Sequence, residues 1–228
     1  MNIRFFWPGS EAEVQGIRPG HWLPFTPGGN ASVNPFQHRV DTVIDWMTTD
    51  EVMPHFVTLY FDSPDSEGHR YGPDSAETAT MLEYCDFLIE SLLSQLDAHG
   101  LLYETDVIIT SDHGMANIYP ETQTVFLTDY VDKDLFEYVF TGTMYISIVP
   151  KEGKGDEIFN ALQEKHPNMT VYRKNFNMLE RHHYEKNDRI AEILCVADLG
   201  WSIQMEKEKS WSIQKGTHGF DNAYREVK

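Results

Sequence analysis

The sequence predicts an α/β fold with parallel strands, because two short apolar runs flank one long helical pattern. Residues 55–61 are β-branched and aromatic, which is typical of a buried strand. A long helix and then a second buried strand, over residues 106–111, are predicted to follow. A strand, a long helix and another strand form a crossover unit, and such a unit connects parallel strands.

The first predicted helix follows residues 15–35, which are rich in Gly and Pro and are expected to form a long surface loop. Asn34 is placed to cap this helix and Pro35 to occupy its first position. Apolar residues then recur at the spacing of one helical face. We expect that face to be buried, and it consists of Phe36, Val40, Val43, Ile44 and Met47.

The long helix of the crossover unit follows a stretch over residues 62–73 that is predicted to be a polar loop. We expect Asp74 or Ser75 to cap this helix and Gly100 to end it. Its predicted buried face consists of Met81, Tyr84, Cys85, Leu88, Leu92 and Leu96.

The rest of the chain alternates in the same way, with less regularity. Strands are predicted over residues 144–149, 169–172 and 189–196, and a helix over residues 155–165. The tail from Trp201 onward is polar and is expected to be loop-like.

Charge and hydropathy exclude several classes of protein. The formal net charge of −18 repels a nucleic-acid backbone, so duplex binding is not expected. No stretch approaches the roughly 20 apolar residues of a membrane helix, so we predict no membrane segment in this chain. Pro8 and Gly9 end the first apolar run at once, so we expect no targeting signal in it either.

Two further features bear on the cellular setting. Cys85 and Cys195 each lie in an apolar context and are predicted to be buried thiols, with a disulfide between them left open. The sequons at Asn30 and Asn168 favour a secreted glycoprotein slightly.

Carboxylates and imidazoles follow both predicted strands of the crossover unit. Asp65 and His69 follow the first strand, Asp112 and His113 follow the second, and His218 lies near the end of the chain. Because ligands bind beyond the carboxyl ends of parallel strands, these side chains are candidates for one site. Nitrogen and carboxylate ligands without thiolate suit Zn²⁺, with Mn²⁺ or Fe remaining open.

These residues could also have roles that involve no metal. An Asp-His pair after a strand is more often a turn with a surface histidine, and it is the recurrence of such pieces that favours a metal. The pair His182 and His183 also looks metal-like, but no predicted strand precedes it. We expect a solvated or structural role for that pair.

Four stretches resemble the motifs of the nucleotide pyrophosphatase/phosphodiesterase family, within the alkaline phosphatase superfamily. They are Phe-Trp-Pro-Gly-Ser at 6–10, Pro-Asp-Ser-Glu-Gly-His-Arg-Tyr-Gly-Pro at 64–73, Ser-Asp-His-Gly-Met at 111–115 and Gly-Thr-His-Gly-Phe-Asp-Asn at 216–222. The resemblance implies an alkaline-phosphatase-like, doubly wound, mostly parallel sheet with helices on both faces. It also implies that this sheet is incomplete and that residues 1–228 are a partial catalytic domain, clipped at both ends.

The resemblance assigns a ligand set for two Zn²⁺ ions. Asp65, His69 and His218 would bind one ion, and Asp112 and His113 would bind the other. In the family an aspartate and the threonine nucleophile, which the second zinc activates, precede the Phe-Trp-Pro-Gly-Ser motif. We therefore expect no catalytic nucleophile in this chain, binding of about one zinc, and little or no turnover by the chain alone.

The resemblance also implies a substrate and a setting. Trp7, Glu11 and Phe25 fall where the family lines its substrate pocket, and plain packing or surface charge is their alternative role. The family hydrolyses phosphodiester or pyrophosphate bonds in nucleotides or related small phosphodiesters, and it is extracellular or at the cell surface. Two alternatives remain open: a non-catalytic zinc-binding fragment or pseudoenzyme, and a relative of the phosphoethanolamine transferases or phosphomutases.

Overall fold

The structure is a computed structural model that describes residues 2–5, 7, 9–23, 35–49, 53–184, 186–207 and 214–227. The chain divides into two compact units. The first unit comprises Met1–Ser66 and Ala76–Thr110, and the second comprises Glu67–Ser75 and Ser111–Lys228. Among the described residues, no helix is both long enough and apolar enough to cross a membrane.

The first unit contains a three-stranded parallel sheet. Its strands are β1 (Asn2–Phe5), β2 (His21–Leu23) and β3 (Phe56–Leu59), in the order β2-β1-β3. β3 is parallel to β1, whereas the crossover prediction concerned a parallel pair of residues 55–61 with residues 106–111. The predicted loop over residues 15–35 was wrong in part, since β2 lies within it.

The first helix, α1 (Phe36–Thr49), buries the face that its periodicity predicted. Phe36, Val40, Val43, Ile44 and Met47 are all buried in it. Val40 packs in one apolar cluster with Leu88, and Ile44 in another with Leu96. The expected cap, Asn34, lies outside the described residues.

The long helix, α3 (Ala76–Ala98), begins directly after Ser75, and Gly100 follows its end with a φ of 72°. Its predicted buried face was only partly right. Leu88 and Leu96 are buried, whereas Tyr84 is 38% exposed. The buried face of α3 is therefore narrower than the face that its apolar residues form.

The predicted buried strand over residues 106–111 is absent. Residues 106–110 have no regular secondary structure, and Ile108 is 86% exposed. No backbone hydrogen bond joins residues 106–109 to any other described residue. A β-branched run becomes a strand only where a neighbouring strand pairs with it, so its propensity alone misled the prediction.

A short helix, α2 (Asp65–Tyr71), replaces the predicted polar loop. Pro64 precedes it, and Asp65 and Glu67 lie in its first turn, where a carboxylate is stabilised by the helix dipole. Seven residues are too few for a visible apolar period, which is why the sequence did not indicate this helix.

The second unit is built on a four-stranded antiparallel sheet, in which β6 (Phe136–Thr141), β7 (Tyr145–Pro150), β9 (Ile193–Ala197) and β8 (Met169–Arg173) lie in that order. The predicted helix and strands after residue 140 are present with shifted ends, and the polar tail contains two short strands that were not expected. The elements of this unit are β4 (Ala116–Asn117), β5 (Thr124–Phe126), β6 (Phe136–Thr141), β7 (Tyr145–Pro150), α4 (Gly155–Leu162), β8 (Met169–Arg173), β9 (Ile193–Ala197), β10 (Ser202–Gln204) and β11 (Gly216–Thr217).

The core of the second unit lies between α4 and this sheet. Ile158 and Leu162 of α4 are fully buried in one cluster with Ile146 and Ile193. Cys195 is buried in the same cluster, and burial raises the pKa of its thiol to about 12. Both cysteines are free thiols, so the disulfide that the sequence left open is not formed.

Candidate metal centre

Two candidate ligands lie one helical turn apart on α2. Asp65 and His69 are separated by four residues, so their side chains lie on the same face of the helix. One ligand atom from each of them and one from His218 lie within 4.8 Å of one another. The three side chains are half-buried. Residues far apart in the sequence therefore converge into one carboxylate and two imidazoles.

The tautomer of His69 follows from its hydrogen bond. Its Nδ1 lies 2.9 Å from the carbonyl oxygen of Gly216. A carbonyl oxygen only accepts, so Nδ1 carries a hydrogen and the bond turns Nε2 away from Gly216. The backbone N–H of Lys215 donates to the carbonyl oxygen of His69 at 2.9 Å. His69 is thus bonded through both its ring and its backbone to the segment that leads into His218.

Close backbone packing lets α2 approach that segment. A Cβ atom on Gly216 would lie 2.4 Å from the carbonyl oxygen of Gly68 and 3.1 Å from Cδ of Pro73. Any side chain at Gly216 would therefore push β11 away from the helix that carries His69. Gly216, two residues before His218, therefore serves the close packing of β11 against this helix.

Three imidazoles form a contiguous group. The ring of His218 stacks on that of His113, with centroids 3.5 Å apart and planes 10° apart. The His69 ring lies 5.0 Å from His218 on a tilted plane. Nδ1 of His113 donates to the carbonyl oxygen of Gly114 at 2.8 Å, which fixes the orientation of this ring as well.

Asp112 is less enclosed than the other candidate ligands. Its side chain is 66% exposed, and its Oδ1 lies 3.6 Å from Nε2 of His113. Among the described residues, neither Asp112 nor His113 belongs to a group of three that could hold a metal ion. The sequence-predicted ligands therefore divide into a converged set of three and an open pair.

The chemistry of the converged set fits Zn²⁺. Catalytic zinc commonly has three protein ligands of nitrogen and oxygen type, including two histidines with one carboxylate. The hydrogen bond from Nδ1 of His69 to a backbone carbonyl is the support that zinc-binding imidazoles usually have.

Two of the three predicted substrate-pocket residues, Trp7 and Glu11, lie among the described residues. Trp7 is 40% exposed and meets Tyr60 edge to face at 5.7 Å. Glu11 is exposed, and Phe25 lies outside the described residues. A surface cavity of about 570 Å³ is lined by residues that include Arg173, and none of the predicted site residues lines it.

The sequence did not indicate an ion-pair cluster that includes Asp221 of the His218 motif. The guanidinium of Arg181 donates to Oδ2 of Asp221, and Nε2 of His182 lies 3.4 Å from the same oxygen. Burial raises the pKa of Asp221, but the Ala223 N–H, Arg181 and His182 together hold that pKa below its usual value. The 40 residues that separate Arg181 from Asp221 hide this pairing from any local pattern.

Comparison with known proteins identifies a family for most of the chain. The family described as type I phosphodiesterase / nucleotide pyrophosphatase matches residues 3–221. Human ectonucleotide pyrophosphatase/phosphodiesterase family member 5 is 37% identical over 221 residues, which cover 97% of this chain and 44% of that protein. A bis(5'-adenosyl)-triphosphatase of Bos taurus is 34% identical over 218 residues, covering 95% of this chain and 46% of that protein.

Solved structures agree with the fold. Murine ectonucleotide pyrophosphatase/phosphodiesterase 5 matches with a TM-score of 0.87 and 34% identity, over 99% of this chain and 58% of that one. An inactive threonine-to-alanine form of the murine protein, in complex with AMP, matches with a TM-score of 0.86 and 34% identity, over 99% and 57%. The chain thus spans about half the length of the curated relatives that it matches.

Proposed function

Because the chain belongs to the type I phosphodiesterase / nucleotide pyrophosphatase family, we propose that it serves the hydrolysis of phosphodiester or pyrophosphate bonds in nucleotides or related small phosphodiesters. One structural observation carries this proposal. Asp65, His69 and His218 present three ligand atoms within 4.8 Å, which is the kind of ligand set that metal-dependent hydrolases use.

The proposed cofactor is a pair of Zn²⁺ ions. Asp65, His69 and His218 would hold the first ion, and Asp112 and His113 would hold the second together with ligands from outside this chain. Bound Zn²⁺ supplies Lewis acidity, which offsets charge on phosphoryl oxygens and lowers the pKa of a hydroxyl.

The histidines of this chain would supply imidazole rings that are already oriented, and the aspartates would supply negative charge. His69 and His113 each donate from Nδ1 to a backbone carbonyl, and these bonds fix the orientation of both rings. Such preorganisation matters for an anionic substrate, because a chain with a net charge of −18 would otherwise repel phosphate.

We propose a threonine hydroxyl from outside these 228 residues as the nucleophile. The murine relative supports this, because its threonine-to-alanine form is inactive and was solved in complex with AMP. Nucleotides are accordingly the proposed substrates, in line with AMP in that complex and with the name of the bovine triphosphatase. An extracellular or cell-surface setting is proposed from the names of the relatives as ectonucleotide enzymes.

The exposure of Asp112 favours a second candidate function. At 66% exposed, its side chain lies in an open pair rather than a converged set. The chain would then bind one metal ion without turning over substrate. The two candidates differ in their activity and not in whether the first site binds metal.

The deciding experiment measures hydrolysis of p-nitrophenyl thymidine monophosphate and metal content in the same preparations. We expect the protein to bind zinc in the first site, and EDTA or His218→Gln to remove that zinc. His99→Gln is the matched control, since His99 is an exposed histidine just beyond α3. Zinc-dependent release of nitrophenol would support the hydrolase, and zinc binding without release would support the second candidate. Failure to bind zinc would overturn both.

A further inference from the structure

A polar cluster includes Asp221, three residues after His218, and none of the roles described above uses it. It joins the 3-10 turn over Glu180–His182 to Asp221. Arg181 donates to Oδ2 of Asp221, and Nε2 of His182 lies 3.4 Å from that oxygen. The side chains of His182 and Asp221 are only 11% and 16% exposed, so solvent screens this contact less than an ordinary surface pair.

The other oxygen of Asp221 is bonded within its own turn. Oδ1 accepts from the backbone N–H of Ala223 at 2.8 Å, and the N–H of Tyr224 donates to the Asp221 carbonyl at 3.0 Å. The carboxylate therefore bridges two segments, one oxygen on the turn after residue 221 and the other on Arg181 and His182. Tyr172 packs edge-on against His182 with ring centroids 5.5 Å apart.

His218 lies between this bridge and a strand pair. On its N-terminal side, Thr217 of β11 pairs with Ala116 of β4. On its C-terminal side, Gly219 turns the chain with a φ of 89°, and Phe220 is buried in an apolar cluster with Ala116. Asp221 follows at once. The loop that carries His218 is thus anchored at both ends. The anchor on its C-terminal side depends on Arg181, which lies 40 positions before Asp221.

We propose that Arg181 and His182 are positioning residues that act through Asp221 to keep the His218 imidazole at the metal centre. The proposal rests on the proposed function in one respect, namely that His218 binds metal. The partners of metal ligands usually fix the ligand orientation, and their loss typically lowers metal affinity about 10- to 100-fold. Here the support acts on the backbone three residues after the ligand rather than on its ring.

Cobalt titration of the protein tests this proposal, because Co²⁺ reports affinity and ligand geometry through its absorption spectrum. We expect Arg181→Met to weaken Co²⁺ binding about 10-fold and to change the spectrum. Arg181→Lys retains one cationic donor and should restore most of the affinity. His183→Gln is the matched control, since His183 is the exposed neighbour, and it should bind Co²⁺ as the unmodified protein does.

A double-variant cycle separates positioning from general destabilisation. In an Asp221→Asn background, Arg181→Met should add little further loss of Co²⁺ affinity, because the two residues act as one unit. Equal Co²⁺ affinity in Arg181→Met and the unmodified protein would overturn the inference and leave the proposed function intact. Absence of Co²⁺ and Zn²⁺ binding by the unmodified protein would overturn the proposed metal centre, and this inference with it.

Discussion

The imidazole of His69 donates from Nδ1 to the carbonyl oxygen of Gly216 at 2.9 Å, and this bond ties α2 to the strand that leads into His218. The bond is possible only because the two backbones touch, since a Cβ on Gly216 would lie 2.4 Å from the oxygen of Gly68. The orientation of the His69 ring therefore depends on the close packing of Gly216 against Gly68.

Gly216→Ala is expected to weaken metal binding strongly. The added methyl forces β11 away from α2, which lengthens the His69 bond to the strand and displaces His218. We expect roughly 10- to 100-fold lower Zn²⁺ affinity, measured by competition with a chelating dye. Gly100→Ala is the control, because Gly100 has a positive φ but open space around it. It should cost about 1 kcal/mol of stability and leave Zn²⁺ affinity unchanged. Equal affinities for the two variants would contradict the packing argument.

The converged ligands and the open pair are expected to differ in metal stoichiometry. Asp65 belongs to the group of three, whereas Asp112 is 66% exposed and lies in the open pair. We expect about one tightly held zinc per chain after dialysis, because fewer than three protein ligands hold zinc weakly. Asp65→Ala should remove that zinc, and Asp112→Ala should leave it. Asp97→Ala, on the exposed face of α3, serves as control. Two zinc ions retained through dialysis would contradict this prediction.

A buried ion pair is expected to stabilise the first unit. Arg39 is fully buried and donates to Asp62 at 3.0 Å and to the carbonyl oxygen of Tyr60 at 2.9 Å. Burial lowers the pKa of Arg39, and the contact with Asp62 opposes that shift. Arg39→Ala leaves the Asp62 carboxylate, 19% exposed, without its cation. We expect a loss of about 3 kcal/mol in the free energy of urea unfolding.

The matched control for Arg39→Ala is Arg18→Ala. Arg18 pairs with Glu13 at 3.3 Å, and the two side chains are 50% and 53% exposed. Solvent screens such a pair, so its removal should cost less than about 1 kcal/mol. Similar losses for the two variants would show that the buried pair carries no special stability.

Helical periodicity predicted the buried face of α1 in full and that of α3 in part. The apolar stripe of α1 is buried in full, because a helix that packs on a core shows its buried face in its sequence. The apolar run at residues 106–111 predicted a buried strand, and that prediction was wrong. Strand formation depends on a partner that the local sequence does not encode, and Ile108 is 86% exposed without one.

The site was predictable where the motifs are local. Asp65, His69 and His218 converge as the strand-end reasoning and the family motifs predicted, although the second strand of that reasoning is absent. Their metal binding stays a prediction. Neither approach indicated that Asp65 and His69 lie on a helix. The sequence did not predict the ion pair of Arg181 and Asp221. Charged residues that are far apart in the sequence show no local pattern that would indicate their contact in the fold.

Asp221 is expected to make the free energy of unfolding depend on pH in the acid range. Arg181, His182 and Tyr172 face its carboxylate, and its pKa in the folded chain is lowered. A lowered folded pKa means that the carboxylate stabilises the native state in full above its unfolded pKa of about 3.9, and that this contribution is lost as pH falls through the folded value.

Urea unfolding of the unmodified protein and of Asp221→Asn, between about pH 7 and about pH 3, measures this contribution. The stability difference between the two proteins should hold down to about pH 4 and then shrink. In an Arg181→Met background the difference should be smaller throughout, because the cation that stabilises the Asp221 carboxylate is gone. A difference that grows as pH falls would mean that Asp221 stabilises the native state as the neutral acid, and the ion pair with Arg181 would then contribute nothing to folding.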